Sequence, residues 1–232
     1  MNPIFAALDT TDLARARELA RLVAPHVGGL KLGLEFFLAQ GLANTAAVAG
    51  TTPLFLDLKL HDIPNTVAGA VRAIAGLKPE FLTVHAAGGP AMLRAAVAEA
   101  GEAAGRTGHR IKLLGVTVLT SLDDGDLETV GQRGPAADQV RRLALLARTS
   151  GLDGVICSPF EVAALRAELG PEFLLVVPGI RPAGAALGDQ KRVMGPRDAI
   201  AAGASRLVIG RPITDAPDPA AAARAIAADL AA

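Results

Sequence analysis

Short runs of branched and aromatic residues recur along the chain, separated by stretches whose apolar side chains return every three or four positions. The runs are IFAALD (4–9), GGLKLG (28–33), PLFLDLKL (53–60), FLTVHAA (81–87), LLGVTVL (113–119), GVICS (154–158), FLLVVPGI (173–180) and RLVIGRP (206–212). Each has the length of a strand, while TDLARARELARLV (11–23) and FEVAALRAELG (160–170) carry helical periodicity. Strand and helix alternate with no Pro- or Gly-rich linker between them, which predicts parallel strands joined by helical crossovers. Eight such units in 232 residues predict an α/β chain folded as a (β/α)8 TIM barrel, a single domain over 1–232 near that fold's lower size limit. A doubly wound open sheet also alternates in this way, but its usual G-x-G-x-x-G turn after the first strand is missing.

In such a barrel the chemistry sits at the C-terminal ends of the strands, and phosphate often binds in the loops after the seventh and eighth. Read in order, the ends carry Asp9; Lys31; Asp57 and Lys59, with Asp62 just beyond; His85; Thr120 and Ser121; Cys157 and Ser158; Pro178 to Arg181; and Gly210 with Arg211. The sixth end has the weakest claim to chemistry. The third has the strongest.

In LDLKL (56–60) leucines alternate with Asp57 and Lys59, and residues i and i+2 of a strand share a face about 6.5–7 Å apart. Both polar groups are therefore predicted to point together, with Phe55 below them and the leucines turned to the helices. Lys31, between Leu30 and Leu32, is predicted to face the same way from the neighbouring strand. Period-two alternation alone is also the mark of a solvated strand face. In a parallel barrel both faces are covered, and an unpaired buried charge costs several kcal/mol. Paired charges at the open end escape that cost. Only five of the 23 cationic residues are lysines, and two of them lie inside strand patterns, where a compact, tunable ammonium is useful. Asp62 taken alone is a turn or helix-start carboxylate before Pro64.

Composition narrows the partners. The 23 basic and 23 acidic residues balance, and no basic tract suggests nucleic acid. Cys157 is the single cysteine, so no intrachain disulfide or cysteine metal cluster is expected, and its apolar run makes it a buried small hydrophobe. No apolar run approaches the eighteen or so residues of a membrane span. The opening MNPIFAALD lacks the basic start and long apolar stretch of a signal peptide, so the expected location is cytoplasmic.

DLKLHDIPNT (57–66), with its D-x-K-x-x-D followed by I-x-x-T, resembles the signature of the orotidine 5'-phosphate decarboxylase family. Asp9 closing the first strand, KLG (31–33), TVHAAGG (83–89), VTVLTS (116–121), PGIRP (178–182), GDQ (188–190) and IGRPI (209–213) fall where that family has its motifs, so the resemblance runs from the first strand to the last. It implies conversion of orotidine 5'-monophosphate (OMP) to UMP and CO2, the last step of UMP synthesis, with no cofactor and no metal. It implies Lys59 as the general acid at C6 of the pyrimidine and Asp57 beside the substrate carboxylate. Lys31 and Asp62 complete an alternating Lys–Asp–Lys–Asp set, with Asp62 reaching in from the other subunit of a homodimer. Asp9, Lys31 and Thr66 resemble ribose contacts, Thr66 across the interface, and Thr120 matches a hydroxyl on the pyrimidine. Arg181, Gln190, Gly210 and Arg211 match substrate-binding residues of the last two loops, with Gln190 and Arg211 on the phosphate. His85 has no assigned chemistry and is read as structural.

Loss of CO2 from C6 leaves an electron pair that the ring delocalises poorly, and decarboxylases usually supply a cofactor as electron sink. A lysine ammonium at C6 would stabilise the carbanion and then deliver its proton. Absence of Trp and Tyr leaves the ring to hydrogen bonds and aliphatic packing. The nearest rival is a Mg2+-dependent enzyme like 3-keto-L-gulonate 6-phosphate decarboxylase, which shares D-x-K-x-x-D. It would favour acidic groups at both of the first two strand ends, where this chain has Asp9 and Lys31. A catalytically silent phosphosugar-binding barrel is the other alternative, and it should have lost a member of the tetrad.

Overall fold

The computed structural model describes residues 2–182 and 194–231. Eight parallel strands close into a barrel in chain order. They are β1 (Ile4–Ala7), β2 (Gly29–Gly33), β3 (Leu54–Leu60), β4 (Phe81–His85), β5 (Lys112–Val116), β6 (Gly154–Ile156), β7 (Leu174–Val177) and β8 (Arg206–Ile209). The closing pair sets Ile4 against Leu207 and Ala6 against Ile209. The helices are α1 (Leu13–Val23), α2 (Leu34–Ala49), α3 (Pro64–Ile74), α4 (Gly89–Thr107), α5 (Asp124–Thr129), α6 (Ala136–Thr149), α7 (Val162–Leu169), α8 (Pro196–Ala201), α9 (Arg211–Thr214) and α10 (Pro219–Ala231). The barrel predicted from alternation is therefore present, and all eight predicted strands contribute to it.

Some strands stop before their apolar runs do, as β5 does at Val116 and β7 at Val177. The runs continue because Val118 and Ile180 stay buried after the chain has left the sheet. Burial, which an apolar run reports, outlasts the ladder of hydrogen bonds that defines a strand.

Local signals explain the helices. Asp12 caps α1 by accepting from the N–H groups of Ala14 and Arg15, and Ala16, Leu19, Ala20 and Val23 form its buried stripe. Pro64 opens α3, where its missing N–H is no loss. The carboxylate of Glu99 on α4 is buried between Arg72 of α3 and Arg106. Those two guanidiniums, with hydrogen bonding as the leading cause, hold the Glu99 carboxyl below its ordinary value. The clamp ties α3, which follows Asp62 and carries Thr66, to its neighbour.

The core has two compartments. The larger lies between the outer face of the sheet and the helices, where Leu30, Leu32, Leu54, Leu56, Leu82 and their partners meet the helical stripes. The smaller fills the barrel itself with Phe5, Phe55, Phe81, Leu114 and Val176. Its three phenyl rings pack edge to face, with centroids 6.0, 5.3 and 5.8 Å apart. A Cβ on Gly29 would stand 2.3 Å from the Phe5 ring, so the bare backbone there admits the phenyl. This apolar plug is the floor on which the polar strand ends stand. No helix among the described residues is long and apolar enough to cross a membrane.

Candidate active site

A cavity opens at the C-terminal ends of the strands. Asp9, Lys31, Asp57, Lys59, Thr120, Arg181, Gly210 and Arg211 all line it, over an apolar base of Phe55, Val116, Ile156, Cys157 and Val208. Eight of the eleven residues to which the resemblance assigns a catalytic or binding role thus converge on one space, contributed by the ends of six strands. The sixth strand supplies apolar surface through Ile156 and Cys157, in keeping with its weak claim. Cys157 is buried, and burial pushes its thiol far up from the ordinary value, so it packs as an inert small hydrophobe.

The charges form a chain. Lys31 Nζ donates to Asp9 Oδ1 at 2.8 Å and lies 3.9 Å from Asp57 Oδ2. Lys59 Nζ donates to the same Asp57 Oδ2 at 2.7 Å. Asp57 and Lys31 are nearly buried, whereas Lys59 keeps about a third of its side chain open to the cavity, at 35% exposure. Burial alone would push the Asp57 carboxyl up. The charges of Lys31 and Lys59, with hydrogen bonds from Lys59 and Thr83, outweigh it and hold the carboxyl below its ordinary value. Gly33 leaves room for this cluster: a Cβ there would be 3.2 Å from Lys31 Nζ and 3.5 Å from Asp9 Oδ1.

Asp57 and Lys59 do point together, but not as a regular strand would place them. β3 pairs with β4 at Leu56–Leu82 and next at Leu60–Val84, so three residues of β3 face the single Thr83. Lys59 itself sits at φ +50°, a left-handed conformation uncommon for lysine. Its N–H donates to the Thr83 hydroxyl at 2.9 Å, and that hydroxyl donates to Asp57 Oδ1 at 2.8 Å. Strained backbone of this kind concentrates at functional sites. Thr83 opens the TVHAAGG stretch, but the residues around it do not set its hydroxyl apart, because a threonine in FLTVH resembles any β-branched strand former.

Two predicted residues among those described are not in the cavity wall. Asp62 and Thr66 are exposed, and the Asp62 carboxylate accepts from the neighbouring Ile63 N–H at 2.6 Å. Gln190 lies outside the described residues. His85, at the end of β4, stacks obliquely on His61 with centroids 5.3 Å apart. Burial, then His61 and Lys59, hold the His85 imidazole below its ordinary value, so it is neutral near pH 7. Beyond β7, Gly179 turns the chain at φ +75°, and the Arg181 N–H donates to the Met194 carbonyl at 3.0 Å, pinning the start of that loop to its return. Among the described residues, no group of three or more His, Cys, Asp or Glu is arranged to hold a metal ion.

Comparison with known proteins extends over nearly the whole chain. Residues 2–226 match the model of the family described as Orotidine 5'-phosphate decarboxylase / HUMPS. The chain is 60% identical over 230 residues to the orotidine 5'-phosphate decarboxylase of Thermobifida fusca, covering 98% of this chain and 95% of that one. It is 54% identical to the enzyme of that name from Paramagnetospirillum magneticum, over 99% of both. The crystal structure of orotidine 5'-phosphate decarboxylase from Lactobacillus acidophilus superposes with a TM-score of 0.88 at 41% identity, covering 100% of each chain. The chain belongs to the orotidine 5'-phosphate decarboxylase / HUMPS family.

Proposed function

We propose that the protein decarboxylates OMP to UMP and CO2, with Lys59 as the group that stabilises and protonates C6. The observation that carries this reading is the Asp9–Lys31–Asp57–Lys59 chain on the wall of a cavity that Arg181 and Arg211 also line. Within that chain, Lys59 is the lysine with the more exposed side chain. Opposite charges about 4 Å apart at an effective dielectric near 20 attract by about 4 kcal/mol, or about three powers of ten in rate. Asp57 adds repulsion toward a substrate carboxylate, which is relieved as neutral CO2 departs. Remote phosphate contacts, with Arg181, Arg211 and Gln190 as the proposed partners, supply binding energy to assemble the site. Asp9 and Lys31 hold the ribose, and Thr120 and Gly210 complete the contacts to substrate.

Carbanion stabilisation by an ammonium needs no cofactor. A Mg2+-dependent reaction is disfavoured because the Lys31 ammonium sits against Asp9, where a second carboxylate would be wanted.

The functional unit in this reading is a homodimer with shared sites. Asp62 and Thr66 stand exposed beyond β3, and in this reading they enter a partner's cavity. Around them lie uncovered apolar side chains. Leu34 and Leu38, about one turn apart at the start of α2, are 48% and 75% exposed, and Ile63, beside Asp62, is 67% exposed. Both segments follow adjacent strands at the same end of the barrel, which makes one apolar rim that a second copy would cover. The setting is cytoplasmic, as for a step of nucleotide synthesis.

Incubation with OMP and chromatographic identification of UMP test the activity, with orotidine lacking the phosphate as control. Stoichiometric UMP from OMP and far slower turnover of orotidine are expected. Absence of UMP from folded protein would reject the reading.

A further inference from the structure

Between its pairings at Leu56–Leu82 and Leu60–Val84, β3 carries three residues against the one residue Thr83 of β4. A bulge of this kind leaves backbone groups without ladder partners and re-aims side chains. Here the orphaned N–H is that of Lys59, and the group that receives it is the Thr83 hydroxyl. The same oxygen donates its proton to Asp57 Oδ1. Thr83 is fully buried, so no solvent stands by to replace it.

We infer that Thr83 is a positioning residue for the decarboxylation, its hydroxyl fixing the Asp57 carboxylate and the Lys59 backbone at once. The inference rests on the reading of Asp57 and Lys59 as the reacting pair. It follows from how the carboxylate is divided. Oδ1 is committed to Thr83, which stops rotation about the Cβ–Cγ bond and leaves Oδ2 for Lys59 at 2.7 Å and Lys31 at 3.9 Å. The acceptor half of the hydroxyl holds Lys59 in its left-handed conformation, and that conformation sets the direction from which the ammonium enters the cavity. A valine has the same shape and the same preference for a strand, yet satisfies neither partner. A threonine that only filled space would tolerate that exchange.

The test is steady-state kinetics of OMP turnover for Thr83→Val, Thr83→Ser and Thr83→Ala beside the wild type. Loss of a hydrogen bond to a carboxylate together with a buried unpaired amide predicts a kcat about 30-fold lower for Thr83→Val, with KM changed less than about threefold. Thr83→Ser restores the oxygen and recovers most of the rate. The acid limb of the kcat profile moves upward in pH for Thr83→Val, because the hydroxyl is one of the groups that hold Asp57 ionised. Should Thr83→Val fail to fold, Ser against Ala asks the same question with smaller side chains. Wild-type kcat in Val or Ala, while Asp57→Asn and Lys59→Ala collapse, would overturn the inference and leave the reading of the pair intact. Full activity in Asp57→Asn and Lys59→Ala would overturn both.

Discussion

Asp57→Asn isolates charge from shape. Asparagine keeps the volume and an oxygen for the Thr83 hydroxyl, but removes a negative charge 2.7 Å from the Lys59 ammonium and 3.9 Å from that of Lys31. At an effective dielectric near 20 those attractions are worth about 6 and about 4 kcal/mol before desolvation is counted. Most of this does not reach stability. Solvent screens the partly open Lys59, Lys31 retains Asp9 at 2.8 Å, and the burial cost of the carboxylate disappears with its charge. A net change within about 2 kcal/mol follows, or within about 8 °C in Tm for a chain of this size. Activity responds differently. An ammonium that drifts from about 4 to about 6 Å from C6 loses about 1.4 kcal/mol of its attraction, a factor of ten. Removing the carboxylate that opposes the substrate's own removes up to about 4 kcal/mol more. The expected signature is a kcat lower by a factor of about 10² to 10⁴ with a KM that does not rise, because ground-state repulsion is relieved. Continuous absorbance assays and circular dichroism melts measure the two quantities. A kcat within threefold of wild type would show that the Asp57 charge does not act on the reacting centre, and a raised KM beside it would mark Asp57 as a simple binding group.

Other expectations are as direct. His85 is held below its ordinary value of 6.5, so its contribution to stability is fully present above that pH and is lost as pH falls through the folded-state value; His85→Asn should flatten the fall of Tm between about pH 6.5 and 5. Gly33→Ala places a Cβ 3.2 Å from Lys31 Nζ and should lower kcat about tenfold with little change in Tm; an unchanged rate would show that the cluster has slack. Leu38→Glu puts a charge on the exposed apolar rim of α2 and should give monomers of low activity by analytical ultracentrifugation; an active monomer would reject shared sites. Mixing inactive Asp62→Ala with inactive Lys59→Ala should restore part of the activity, and none after confirmed subunit exchange would count against Asp62 acting across the interface.

Much of this architecture is visible in the sequence because a parallel barrel repeats one simple pattern. Each strand run is short and apolar, and inward polar residues such as Lys31 and Asp57 stand out against leucine neighbours. What the pattern does not carry is local backbone geometry. Lys59 at positive φ and the three-against-one bulge opposite Thr83 leave no trace in LFLDLKL, which reads as an unbroken strand. Nor does it mark the bareness required at Gly29 and Gly33, which depends on a phenyl and an ammonium that only the folded chain brings against them. Taken alone Asp62 is a turn carboxylate, and within one chain it remains one; its proposed catalytic role comes from the D-x-K-x-x-D resemblance.

Metal-free decarboxylation by Lys59 is tested by the ultraviolet absorbance change of OMP in EDTA, followed with the wild type and with Lys59→Ala. Rapid loss with the wild type alone, Lys59→Ala being folded by circular dichroism, is the predicted result. Comparable rates for the two proteins, or loss that EDTA abolishes, would contradict a metal-free decarboxylation centred on Lys59.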